Sequence, residues 1–175
     1  IITPFFLWII LSEGLPHRFL VACIVFSIGA ITDALDGHLA RKNNQITNFG
    51  KFLDPIADKV LTTSALLAFM SMGLCNIWIV MLVLTREFAI ASVRMIAASG
   101  GVVIPANIWG KIKTATQMTF TIVILLWGDL VETFGFLKVH FAFVSNIMIW
   151  ITAILAAISG IVYLVQAKKT IDFSK

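Results

Sequence analysis

An all-α integral membrane protein, with six transmembrane helices bundled in a single domain over residues 1–175, is the fold class this sequence predicts. Three observations predict it. The chain is 59% hydrophobic and 13% charged, whereas a soluble domain averages about 45 to 50% apolar and about 25% charged residues. Six apolar runs recur along the 175 residues, a length that holds at most six or seven spans of about 20 residues and leaves no room for a separate soluble domain. Lysine and arginine also gather on alternate connections, as the short loops of membrane proteins require.

The first span is expected over about residues 1 to 12, ending at the glycine- and proline-containing turn SEGLPH. The chain opens on Ile1 rather than Met, so preceding sequence is expected. A signal peptide is not, because apolar runs recur to the end and none has a basic start followed by a small-residue cleavage site. The second span covers about 18 to 41 and carries Asp33 and Asp36 in its C-terminal half. A polar connection, KNNQITNFG, leads into the third span, about 50 to 73. The fourth, about 76 to 98, holds Arg86, Glu87 and Arg94. Two glycines and a proline in ASGGVVIPAN break the helical pattern. The fifth span follows from about 106 to 128, and the sixth runs from about 139 to 167 before Lys168 and Lys169.

The basic residues orient these spans. Arg41, Lys42, Lys51 and Lys59 flank the second connection, Arg94, Lys111 and Lys113 flank the fourth, and Lys168, Lys169 and Lys175 follow the last span. Only Arg18 and Lys138 oppose them, so both termini and the aspartates belong at the cytoplasmic face. Trp78, Trp109 and Trp127 lie near predicted span ends, where interfacial anchors are expected. This asymmetry and attraction to anionic headgroups account for the net charge of +4 without any nucleic-acid partner. Cys23 and Cys75, far apart and among apolar neighbours, are expected to be reduced packing residues.

Against this apolar background the stretch TDALDGHLARKNNQITNFGKFLDPIADK, residues 32 to 59, holds four of the nine acids. Asp33 and Asp36 are three apart and Asp54 and Asp58 four apart, so each pair shares a face of its helix. Two adjacent antiparallel helices would bring both pairs to one cavity, where four carboxylates repel unless neutralised. Oxygen-only ligands suit a hard divalent ion such as Mg²⁺ or Mn²⁺ and argue against zinc. Two such ions bridged by carboxylates form the clamp that serves a phosphoryl displacement. Gly37 and Gly50 would let a bulky ligand approach the backbone. Ion pairing with Arg41, Lys42, Lys51 and Lys59 is the competing explanation, and it leaves the paired spacing and the glycines unexplained. His38 falls on another face and is taken as a surface residue.

Asp33, Asp36, Gly37, Ala40, Arg41, Gly50, Asp54 and Asp58 reproduce the pattern D-x2-D-G-x2-A-R-x8-G-x3-D-x3-D. On that pattern the chain resembles the CDP-alcohol phosphatidyltransferase family. The resemblance extends to the six spans and implies an enzyme that moves a phosphatidyl group from CDP-diacylglycerol to an alcohol, releases CMP and works as a homodimer. Asp33, Asp36, Asp54 and Asp58 would hold two metal ions, with Asp58 also the general base. Gly37, Ala40, Arg41 and Gly50 would line the nucleotide and diphosphate site. The start IITPFFLW departs from the family, whose members carry an amphipathic segment and an Asn/Thr-containing helix start that helps bind nucleotide.

The acceptor is sought among the remaining charges at membrane depth. Arg86 and Arg94 lie a little over two helical turns apart, with Glu87 alongside, and Lys111 and Lys113 open the fifth span. These four bases would suit an acceptor that carries its own phosphate; the other reading makes them cytoplasmic anchors. TREF (85 to 88) and GKIKTATQ (110 to 117) resemble the branch of the family whose acceptor is glycerol 3-phosphate. Phosphatidylglycerol, inositol phosphate or serine are the alternative acceptors. A divalent-cation transporter is the alternative from another class; its acids should recur across the bilayer rather than gather toward one face.

Overall fold

The computed structural model describes the backbone of residues 2–42, 48–99, 107–135 and 138–170, and the side chains of those residues apart from 34, 36–58, 99, 169 and 170. Within them the chain forms six α-helices: α1 (Ile2–Leu11), α2 (Arg18–Lys42), α3 (Asn48–Ser71), α4 (Ile77–Ser99), α5 (Ile108–Phe134) and α6 (Lys138–Thr170). The order and number of these helices match those of the expected apolar runs. Two of these helices, α5 and α6, are long and apolar enough by themselves to cross a membrane.

The helix ends follow local chemistry. At the end of α3, Gly73 takes the left-handed conformation (φ 73°). Its N–H donates to the carbonyl of Met70 at 3.1 Å, and the Leu74 N–H donates to that of Phe69 at 2.8 Å, which is the Schellman pattern that satisfies the last turn. At the start of α5 the Asn107 side chain accepts from the Trp109 N–H at 2.7 Å, capping an amide that has no partner within the helix. The same helix stops at Gly135 (φ 64°), whose N–H donates to the Val131 carbonyl.

One expectation needs correction here. The fifth helix does not stop near residue 128: Asp129 and Glu132 lie in its last turns. They are three apart and face the entry to α2, where Asp129 meets His17 Nδ1 at 3.2 Å and Glu132 meets Arg18 Nε at 3.1 Å. These partners make it favourable for charged residues to continue the helix. As a consequence Trp127 is not at a helix end: it packs edge-on against Phe141 at 5.6 Å. Trp78 and Trp109, at the first turns of α4 and α5, remain exposed as expected of anchors.

α1 packs on α2 and α3, α2 on α3 and α5, and α6 on α4 and α5. The start of α2 meets the end of α5, so those two run antiparallel; Arg86 and Arg94 of α4 meet Ser159 and Tyr163 of α6 in the same order, so those two run parallel. The main core includes Phe6, Phe19, Phe26, Phe69, Ile79 and Leu125, and a smaller cluster joins Ile90 and Ala97 of α4 to Tyr163 and Ala167 of α6. Cys23 and Cys75 are buried and free, as expected. Polar residues are also inside: Ser64, Lys113, Gln117, Thr121, Ser145, Thr152 and Ser159 are buried, while Trp78, Phe88, Phe134, Val139 and Phe143 are exposed. An apolar exterior over a partly polar interior suits a lipid environment.

Candidate active site

The register of α2 puts positions 33 and 36 on one face, and that of α3 does the same for positions 54 and 58. α2 and α3 are successive helices in contact. Asp33 is exposed. The side chains of Asp36, Asp54 and Asp58, and those of Gly37, Ala40, Arg41 and Gly50, lie outside the described residues, as do His38, Lys42 and Lys51. The donor set fits a hard divalent cation in kind, since all four positions offer carboxylate oxygen.

Beyond this segment the described side chains build a charged cluster from α3, α4, α5 and α6. Its centre is Glu87. One of its oxygens, Oε1, accepts from Lys113 Nζ at 2.7 Å and from Arg86 Nη1 at 2.8 Å. The other, Oε2, lies 3.7 Å from Lys59 Nζ, which also donates to the Glu87 main-chain carbonyl at 3.2 Å. Arg86 turns its other edge to α6, where Ser159 Oγ accepts from Nε at 3.1 Å and from Nη2 at 2.8 Å. The Lys113 side chain is 4% exposed, so this lysine is an interior residue and not a surface anchor.

Of the four bases expected to meet an acceptor, two converge and two stand apart. Arg86 and Lys113 share Glu87. Arg94 stacks over the Tyr163 ring at 5.3 Å from its centroid and donates from Nε to Tyr163 Oη at 3.3 Å. Lys111, two residues before Lys113, is exposed, because that spacing turns it about 200° around the helix. Lys59 takes a place in the cluster that its sequence context, as one of several basic flanking residues, did not distinguish. Ser159 gave no signal either: a serine in an apolar helix commonly bonds its own backbone, and this one does donate to the Ala156 carbonyl at 3.0 Å.

Among the described residues, Lys59, Arg86 and Lys113 against Glu87 leave two formal positive charges at a largely buried place. Lys59 directly follows Asp58 in α3. The cluster therefore adjoins the helical segment that carries two of the four aspartates. Such an assembly can hold a doubly charged anion.

A family model described as CDP-alcohol phosphatidyltransferase matches residues 1–162. The chain is 38% identical over 149 residues to the CDP-diacylglycerol--glycerol-3-phosphate 3-phosphatidyltransferase of Bacillus subtilis (strain 168), a match covering 85% of this chain and 74% of that protein. Proteins of the same name from Rickettsia bellii (strain RML369-C) and Rickettsia felis (strain ATCC VR-1525 / URRWXCal2) are 35% identical over 154 residues and 34% identical over 149 residues. Those matches cover 88% and 85% of this chain, and 82% and 80% of the two relatives.

Proposed function

The chain belongs to the CDP-alcohol phosphatidyltransferase family, and from that premise we infer that it transfers a phosphatidyl group from CDP-diacylglycerol to glycerol 3-phosphate. The products are phosphatidylglycerophosphate and CMP. It is a transferase of phospholipid biosynthesis, as its relatives' names indicate. The observation that carries the choice of acceptor is the Glu87 cluster, whose three cations outnumber its carboxylate by two. A phosphate monoester brings close to two negative charges at neutral pH, because its second pKa is about 6. Serine brings no phosphate, and phosphatidylglycerol is a diester with one negative charge. Inositol phosphate would match in charge, so the assay below separates it.

The fold and the family pattern support the remaining parts of the reading. Helices α2, α3 and α4 have 25, 24 and 23 residues, enough at 1.5 Å per residue to cross a hydrocarbon core about 30 Å thick. With α5 and α6 they give five helices of spanning length, and α1, of which ten residues are described, would supply the sixth span of a bacterial plasma-membrane enzyme with the aspartate end at the cytoplasmic face. The lipid tails of CDP-diacylglycerol then stay in the bilayer while nucleotide and acceptor approach from water.

Asp33, Asp36, Asp54 and Asp58 would hold Mg²⁺ or Mn²⁺, and divalent cations there supply charge neutralisation for the diphosphate. Gly37, Ala40, Arg41 and Gly50 bind the nucleotide and diphosphate. Asp58 accepts the proton of the acceptor hydroxyl as its oxygen bonds to the β-phosphorus; the bond from that phosphorus to the bridging oxygen breaks, and CMP leaves with the electron pair. Arg86 and Lys113, with Lys59, hold the acceptor's own phosphate.

The test is CMP release by purified protein in mixed micelles of CDP-diacylglycerol with Mg²⁺, with glycerol 3-phosphate, inositol phosphate, serine and phosphatidylglycerol offered separately. Release with glycerol 3-phosphate, abolished by Asp58→Asn and by chelator, is expected. Release only with another acceptor would overturn the substrate assignment, and no metal-dependent release from folded protein would overturn the transferase mechanism.

A further inference from the structure

We propose that α6, through the adjacent residues Ser159 and Gly160, positions Arg86 for the phosphate of the acceptor. The proposal rests on the reading of the Glu87 cluster as the acceptor site and assigns a role to a helix in which neither the family pattern nor the charge pattern places a site residue. Ser159 is 1% exposed, and its hydroxyl is fully committed. Its proton goes to the Ala156 carbonyl at 3.0 Å, and its lone pairs receive Arg86 Nε at 3.1 Å and Nη2 at 2.8 Å. Because the proton is directed back along α6, the oxygen presents only acceptor character to α4, and the guanidinium edge that meets it is fixed in plane.

Gly160 acts on the other end of the same side chain. A Cβ built at this position would stand 3.0 Å from Arg86 Cγ, so the missing side chain makes the channel through which the arginine stem passes α6. Glycine inside a helix is destabilising relative to alanine, and close passage of the arginine stem is a packing reason for it here. On its far side the guanidinium runs close to α5, where a Cβ on Gly110 would lie 3.5 Å from Nη2. Arg86 is thus held at Cγ by Gly160, along one edge by Ser159, and at Nη1 by Glu87 at 2.8 Å. Among the described residues, three of its five N–H groups are used in these contacts, and the other two are left for an oxyanion. Ser159 and Gly160 touch the arginine and not the substrate, so they are positioning residues; displacement of such a group by a fraction of an ångström is enough to weaken productive binding.

The experiment measures KM for each substrate separately, together with kcat and the melting temperature, on full-length Ser159→Ala, Gly160→Ala, Arg86→Ala and the double variant Arg86→Ala/Ser159→Ala. Ser159→Ala is expected to raise KM for glycerol 3-phosphate about five- to twentyfold while KM for CDP-diacylglycerol stays within about twofold. Added to Arg86→Ala it should change KM for glycerol 3-phosphate less than about twofold, because a residue that works through Arg86 has nothing left to position. Gly160→Ala keeps the hydroxyl and moves the stem, and it should give the same selective rise; it carries the test if Ser159→Ala does not fold. The proposal is overturned if the folded variants leave KM for glycerol 3-phosphate unchanged, raise both KM values together, or act equally with and without Arg86. Wild-type protein that releases CMP only with a phosphate-free acceptor would instead overturn the assignment of the cluster, a result visible before any variant is made.

Discussion

Replacing Glu87 by glutamine removes the carboxylate that, among the described residues, centres the α3–α6 cluster, without changing its shape. In the native protein Lys113 Nζ lies 2.7 Å and Arg86 Nη1 2.8 Å from Oε1, with Lys59 Nζ at 3.7 Å from Oε2. Unit charges about 4 Å apart attract by about 4 kcal/mol at an effective dielectric of about 20, and removing one member of a buried pair typically costs about 3 to 5 kcal/mol because the partner is left uncompensated. Glutamine still offers a carbonyl to one donor, so the expected loss lies near the lower end, about 3 kcal/mol. For a chain of this size that is about 6 to 12 °C in melting temperature. Lys113→Met should cost less, because Arg86 and Lys59 continue to balance Glu87 and the methionine fills the volume of the lysine stem. The decisive comparison is the double variant Glu87→Gln/Lys113→Met, which removes one charge of each sign. It should melt higher than Glu87→Gln alone, with a coupling of about 1 to 2 kcal/mol in a double-mutant cycle. Thermal unfolding in detergent, followed by retention of the folded species on size exclusion, reads all four proteins. A Glu87→Gln variant melting within about 2 °C of wild type, or a double variant whose loss equals the sum of the two singles, would refute the claim that this carboxylate compensates buried cations.

Two further outcomes follow from packing and from burial. A Cβ on Gly128 would fall 2.5 Å from Phe19 Cδ1 and 2.7 Å from Cε1, on a ring already wedged edge-on against Phe141 at 6.2 Å; Gly128→Ala should therefore lower stability by about 1 to 3 kcal/mol, and Phe19→Leu in that background should recover part of it in the same melting assay. Burial pushes the Cys75 thiol up to about 11, so its thiolate is scarce near neutral pH and maleimide labelling of the folded protein should be slow at pH 7.5 and fast in denaturant at the same pH. Equal labelling rates for folded and denatured protein at pH 7.5 would contradict the buried position.

How far the sequence could be read depended on where the information resides. Apolar runs and their turn residues are local, and the starts of α2 and α4 fall within one residue of the expected positions. The end of α5 was not local: Gly128 and Asp129 look like the start of a loop until His17 and Arg18 are brought to Asp129 and Glu132. The site divides in the same way. Arg86 and Lys113 attract notice because a charge inside an apolar run is costly, and both prove to be in the cluster. Lys111 and Arg94 carry the same signal, yet a two-residue step turns Lys111 outward and Tyr163 engages Arg94. Ser159 and Gly160 could not be found in this way. Small residues are common wherever lipid-embedded helices touch, and their relation to Arg86 exists only once α6 lies beside α4.

That distinction bears on how stability and activity are linked here. Between helices in lipid, apolar burial supplies little net attraction, so packing of small residues and interhelical polar contacts must hold the bundle together. Glu87 meets partners from α3 and α5 and joins through Arg86 to Ser159 of α6, so the same contacts tie four helices and shape the basic site. Variants at Glu87 should consequently lose stability and acceptor binding together. Variants at Ser159 and Gly160 touch only the direction of one guanidinium and should lose acceptor binding with the fold intact. If the two sets of variants behaved alike, the cluster would be structural throughout, and the acceptor's phosphate would have to be bound elsewhere.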